Sequence, residues 1–139
     1  MVLAFLPHHE TRMKFAGRRI LVVEDDFMVS LDTIDVLEDA GCTVVGPAAD
    51  FATAMHLAQS ELLDAAILDV NIAGKLIWPV AEELYRRGVT ILILSAYPKQ
   101  SIAPAAFAAV PRLGKPLERG RLLEQLRALW GGCVRRGHP

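Results

Sequence analysis

Apolar positions along this chain fall into short unbroken runs alternating with stripes at helical spacing. Ile20-Leu-Val-Val23 is wholly apolar, mostly β-branched and ends in acids, the pattern of a strand buried on both faces. From Asp26 to Ala40 the residues Phe27, Leu31, Ile34 and Val36 or Leu37 recur at helical spacing, and Gly41 follows as a C-cap. Thr43 to Val45 predicts a brief second strand, and Asp50 caps a helix to about Ser60 through Ala54, Leu57 and Ala58. Ala65 to Leu68 is a third strand ending at Asp69, Trp78 to Arg87 a helix closed by Gly88, and Val89 to Leu94 a fourth strand ending at Ser95. A short fourth helix is expected over Ser101 to Ala109, with Pro104 in its first turn and Pro111 beyond its end. Arg112 and Leu113 form a short fifth strand ending at Lys115, and Leu117 to Trp130 a last amphipathic helix.

Five such strand–helix units predict an α/β fold, a doubly wound five-stranded parallel sheet with helices on both faces and right-handed crossovers. Ligands then belong outside the carboxyl ends of the strands. The 139 residues suit one domain with a proper core. Residues 1–17 read as an irregular N-terminal extension, 18–131 as the domain and 132–139 as a flexible Arg/Gly tail, with nothing left for an output domain.

Composition narrows the function by exclusion. Fifteen basic and sixteen acidic side chains give a net charge of −1, which is no footprint for direct nucleic-acid binding. Two cysteines, Cys42 and Cys133, cannot make a disulfide scaffold, and the four histidines show no metal-ligand spacing. The longest apolar runs are far short of the roughly 20 residues that a membrane span needs, so no membrane insertion is expected. Met1 to Leu6 is apolar but lacks a basic start, and Pro7, His8 and His9 interrupt it, so a secretory signal is not expected and the cytoplasm is the expected location.

The residues just past the strand ends carry the chemistry: Glu24, Asp25 and Asp26, then Asp69, Ser95 and Lys115. Carboxylates after neighbouring strands repel one another unless a hard divalent cation sits between them, and Mg²⁺ (or Mn²⁺) takes oxygen ligands of this kind. An Asp beside such a cation can attack a phosphoryl group. A Lys ammonium can balance the remaining charge, and a Ser hydroxyl can hydrogen-bond the transferred group. Asp26 and Asp50 read more simply as helix caps.

The segment Leu21-Val-Val-Glu-Asp-Asp26 with Asp69, Ser95 and Lys115-Pro116 resembles the receiver domain of two-component response regulators over roughly residues 18 to 131. The resemblance implies a flavodoxin-like (βα)5 fold with strand order 2-1-3-4-5. It implies Asp69 as phospho-acceptor, Glu24 and Asp25 with Asp69 as metal ligands, and Asn71 giving its backbone carbonyl to the metal. Ser95 takes the place of the family's switch hydroxyl and Lys115 that of its Lys, with a cis Lys115–Pro116 bond. The loop Asp69-Val-Asn-Ile-Ala-Gly74 is similar to that of stand-alone receivers common in alphaproteobacteria. The usual aromatic three residues before the Lys is replaced by Arg112, leaving Tyr97 as the nearest substitute.

The implied partners are a histidine kinase or histidine phosphotransfer protein as donor, and a downstream protein. Contact with that protein, or a homodimer, would use the face of the fourth helix, fifth strand and fifth helix, about Pro98 to Trp130. No enzymatic turnover beyond self-phosphorylation and self-dephosphorylation is implied. The competing reading is a Mg²⁺-dependent phosphatase with an Asp nucleophile, which needs a second acid two residues on, where Asn71 stands. A dinucleotide-binding protein would need a Gly-rich loop after the first strand, and none is there.

Overall fold

A computed structural model describes residues 15–96 and 103–131 of the chain. Its centre is a five-stranded parallel sheet: β1 (Arg19–Val23), β2 (Thr43–Ala48), β3 (Ala65–Asp69), β4 (Thr90–Ser95) and β5 (Arg112–Gly114), in the order β2-β1-β3-β4-β5. Every residue of β3 is buried, as the unbroken apolar run requires in a strand covered on both faces. Alternation sorts the strand residues between two layers. Leu21, Val23, Leu68 and Ile93 face α2 (Phe51–Ser60) and α3 (Trp78–Arg86), while Ile20, Val22, Ile67, Leu92 and Leu94 face α1 (Phe27–Asp39) and α4 (Arg119–Leu126).

Both helices that run straight into a strand close in the same way. Gly41 (φ +95°) ends α1 with Gly41 N–H donating to Glu38 O and Cys42 N–H to Leu37 O. Gly88 (φ +78°) ends α3 with bonds to Tyr85 O and from Val89 N–H to Leu84 O. This paired pattern satisfies the terminal carbonyls and turns the chain back toward the sheet. At the other end of α1, Asp26 accepts from Met28 N–H (3.0 Å) and Val29 N–H (3.2 Å), as its sequence position predicts. Asp26→Ala should therefore cost about 1 kcal/mol in a urea melt. The variant should still take up phosphoryl groups, and loss of that uptake would mean that Asp26 acts beyond capping.

Three elements depart from expectation. The second strand runs on past Val45 to Ala48, through Gly46 (φ +101°) and a cis Gly46–Pro47 bond, with a register shift against β1. A Cβ on Gly46 would lie 2.9 Å from Ala48 N and 3.0 Å from Val22 O, so only glycine lets the strand continue. The fourth helix expected over Ser101–Ala109 lies partly outside the described residues, and the rest is a single 3₁₀ turn, Ala105–Phe107. Pro104 is extended (φ −56°, ψ 154°). Because prolines also push the residue before them out of the helical region, Pro104 and Pro111 leave too few residues for a stable helical nucleus. Phe107 nonetheless anchors the segment, fully buried and stacked on Trp78 (5.7 Å, 17°). The last helix begins at Arg119 rather than Leu117, and continues past Leu126 as a π-turn over Arg127–Gly131.

Phe15, part of the segment read as an extension, is fully buried on the α1/α4 side, its ring edge-on to Trp130 at 6.0 Å. Arg18 lies over the same indole, 4.7 Å from its centroid. Cys42 is a buried free thiol whose pKa burial pushes up to about 11, so it packs as a small hydrophobe. Among the described residues no helix is long and apolar enough to cross a membrane.

Candidate phosphoryl-transfer site

The parallel order β1-β3-β4-β5 delivers four chain segments to one end of the sheet. Register pairs Val23 with Leu68, Asp69 with Leu94 and Ser95 with Gly114, so Glu24, Asp69, Ser95 and Lys115 emerge together. The backbone is tied at each exit: Glu24 N–H donates to Ala48 O (2.9 Å) and Lys115 N–H to Ser95 O (3.0 Å). The Lys115–Pro116 bond is cis, as the family resemblance implies.

Lys115 reaches across the sheet end, its Nζ lying 2.8 Å from Asp69 Oδ2 and 2.8 Å from Glu24 Oε1. Glu24 and Asp69 are both buried, at 3% and 8% exposure. Glu24 Oε2 accepts from Asp26 N–H (3.0 Å). Among the described residues its Oε1 has only the ion-pair contact with Lys115 and no hydrogen bond, so this buried oxygen lacks a full complement of donors. Burial pushes the Glu24 carboxyl above the ordinary carboxylate range, with Lys115 and the Asp26 N–H only partly offsetting it. Burial pulls the Lys115 ammonium down, but its hydrogen bond to Asp69 and its ion pair with Glu24 outweigh that and hold its pKa above the usual lysine value.

One carboxylate oxygen from each of Glu24, Asp25 and Asp69 falls within 4.8 Å of the others. Two buried acids sharing one ammonium, with a third acid exposed at the rim, leave negative charge in excess. Together with the under-supplied Glu24 Oε1, this hard-oxygen set fits a divalent cation of the Mg²⁺ type. Ser95 is buried (5%) at the end of β4. Arg112 is part-exposed in β5, and Tyr97 lies outside the described residues.

Beyond Asp69 the chain makes a small hairpin that sequence reading missed. Asn71–Ile72 pairs antiparallel with Lys75–Leu76 through a two-residue turn, Ala73 (φ +50°) and Gly74 (φ +88°). Two consecutive positive φ values match the type I′ geometry that suits a tight hairpin. Asn71 Oδ1 accepts from Gly74 N–H (2.9 Å), so the position where a phosphatase would need a second acid holds a turn-forming amide. Asp25 Oδ2 accepts from Ala73 N–H (2.8 Å). The only sequence signal was Gly74, midway between the apolar residues Ile72 and Leu76. The start of α1 exposes Phe27 and Met28 directly after the acidic run.

No family model matches the chain. It is 32% identical to SdrG from Sphingomonas melonis Fr1, whose solution structure superposes with a TM-score of 0.72 over 81% of this chain and 96% of that one. It is 26% identical to the receiver domain of the sensor histidine kinase PA1611 from Pseudomonas aeruginosa PAO1, at TM-score 0.70 over 81% and 97% of the two chains. That crystal structure has a magnesium ion coordinated in the active-site cleft. The transcriptional regulatory protein PdtaR of Mycobacterium tuberculosis is 28% identical over 109 residues, 76% of this chain. The chain spans about half the length (53%) of the curated relatives it matches.

Proposed function

The chain belongs to the receiver domains of two-component response regulators, and from that membership we propose that it accepts a phosphoryl group on Asp69 and signals through protein–protein contact. The observation that carries the proposal is the position of Lys115, 2.8 Å from both Asp69 and Glu24 at one end of a parallel sheet. The donor is a phosphohistidine on a histidine kinase or phosphotransfer protein. Exposed Phe27 and Met28, two and three residues after Asp25, offer apolar area for it to dock.

An Asp69 carboxylate oxygen attacks phosphorus in line, the P–N bond breaks, and the imidazole leaves after taking a proton. Glu24, Asp25, Asp69 and the Asn71 backbone carbonyl would hold a divalent cation, which when bound would offset charge on the transferring group. Lys115 supplies a second positive charge from the β5 side, and Ser95 donates its hydroxyl to a phosphoryl oxygen once transfer is complete. Hydrolysis of the acyl phosphate resets the domain; the chemistry is confined to the protein itself, with no external substrate turned over. The downstream protein, or a second copy of the chain, would meet the surface from residue 103 to Trp130 that adjoins Ser95 and Lys115.

Incubation with acetyl phosphate and Mg²⁺ tests the reading. Intact-mass measurement should find a gain of one phosphoryl group that falls away when the cation is chelated. No gain at any Mg²⁺ concentration would remove the assignment.

A further inference from the structure

We propose that the hairpin Asn71–Leu76 is a positioning device for the cation, holding Asp25 through the Ala73 N–H so that one carboxylate oxygen stays turned to the metal. The inference rests on the reading of Glu24, Asp25 and Asp69 as cation ligands.

Asp25 needs such a device more than its neighbours do. Glu24 and Asp69 are buried and held by Lys115, whereas Asp25 is exposed at the rim, where an Asp side chain turns freely among its rotamers. Among the described residues its carboxylate accepts from Ala73 N–H at 2.8 Å, from a residue 48 positions away. That donor is itself well fixed. Ile72 and Ile77 are fully buried at the two feet of the hairpin, Ile77 N–H donates to Val70 O (2.8 Å), and Gly74 N–H bonds back to Asn71.

Backbone conformation points the same way. Ala73 sits at φ +50°, a left-handed conformation that an L-residue with a Cβ adopts only at a cost, and it is neither glycine nor asparagine. With the peptide in that orientation, its N–H is directed at Asp25 Oδ2. Oδ1 is left for the cation, and the carboxylate does not have to be ordered when the metal arrives. Hydrogen-bonded partners of metal ligands commonly act in this way, orienting the ligand and raising affinity.

The test replaces the Ala73 N–H by an ester oxygen, incorporating lactate at position 73 of the full chain, which deletes the donor and keeps the side chain. Mg²⁺ affinity is measured by isothermal titration, alongside the melting temperature of the metal-free protein. About a tenfold loss of affinity is expected, the low end for such partners because Asp25 is exposed. Ala73→Asn, which keeps the N–H and favours this backbone, should bind Mg²⁺ like the wild type. In the wild type, the Ala73 amide resonance should shift on titration with Mg²⁺. Unchanged affinity in a folded ester variant, with binding intact in the wild type, would overturn the role of the hairpin alone. Absence of Mg²⁺ binding by the wild type would overturn the cation reading and this proposal with it.

Discussion

Asp69→Asn is expected to bring phosphoryl uptake from acetyl phosphate to background while leaving the protein folded. An amide is not a competent nucleophile toward phosphorus, and no other carboxylate in the cluster can substitute. Glu24 is more deeply buried and tied to both Lys115 and the Asp26 N–H, and Asp25 is held at the rim by the hairpin. The same substitution removes one of two acids that share a single ammonium. Asp69 repels Glu24 but also pairs with Lys115 at 2.8 Å, so removing its charge takes away one repulsion and one attraction. An asparagine keeps one oxygen facing the ammonium, and a urea melt showing a folded variant separates loss of the acceptor from loss of the fold. Equal modified fractions in wild type and variant would place the acceptor elsewhere.

Lys115→Met is expected to destabilise the protein by about 3 kcal/mol at neutral pH, the low end for stripping buried acids of their partner. The low end applies because the lysine side chain is 16% exposed and some water reaches the pair. Met fills the space of the stem, so the loss reports charge and not packing. Glu24 already titrates above its unfolded value, and without the ammonium it titrates higher still. A carboxyl with a raised folded pKa binds its proton more tightly in the folded chain, so stability rises as pH falls through that interval and drops as pH climbs. The deficit of the variant should then shrink between neutral pH and about pH 5. Lys115 contributes in the opposite range: its raised pKa makes its stabilisation complete below the lysine reference value of 10.5 and lost above it. Mg²⁺ should restore part of the loss in Lys115→Met, since a bound cation neutralises the same acids. Urea midpoints at several pH values, with and without Mg²⁺, measure all three effects. A deficit independent of pH would mean that packing and not charge is at stake.

The two central strands were legible because strands buried on both faces must be continuously apolar, and Ile20–Val23 and Ala65–Leu68 have no other reading. The helix ends were legible from Asp26, Asp50, Gly41 and Gly88, each with a direct backbone consequence. The failures have physical causes as well. The hairpin after Asp69 is built from two-residue strands, too short to carry any periodicity, and its first turn residue is an alanine where the local code calls for asparagine or glycine. Gly46-Pro47 reads as a strand terminator, yet here it bends β2 without ending it. A short helix is expected over Ser101–Ala109, but Pro104 within that span and Pro111 just beyond it leave only the 3₁₀ turn Ala105–Phe107 among its described residues. At the site, sequence order brought Glu24, Asp69, Ser95 and Lys115 to the same sheet end. The sharing of one ammonium between two acids, and the tether on Asp25, depend on side-chain distances that no pattern along the chain encodes.

The contact of Phe15 and Arg18 with Trp130 has a practical side. It brings the first and last described segments together beneath the α1/α4 layer, and Phe15 leads directly into the amino end of β1. Asp69 and Lys115 stand at the carboxyl ends of the strands, a full strand length of roughly 16 Å away. A fluorescent reporter or partner domain grafted near either of these segments therefore emerges at the pole opposite the acceptor and leaves it open to a donor. The same closeness suits circular permutation: a short linker can join the two segments, and new ends can be cut at exposed Leu62, between α2 and β3.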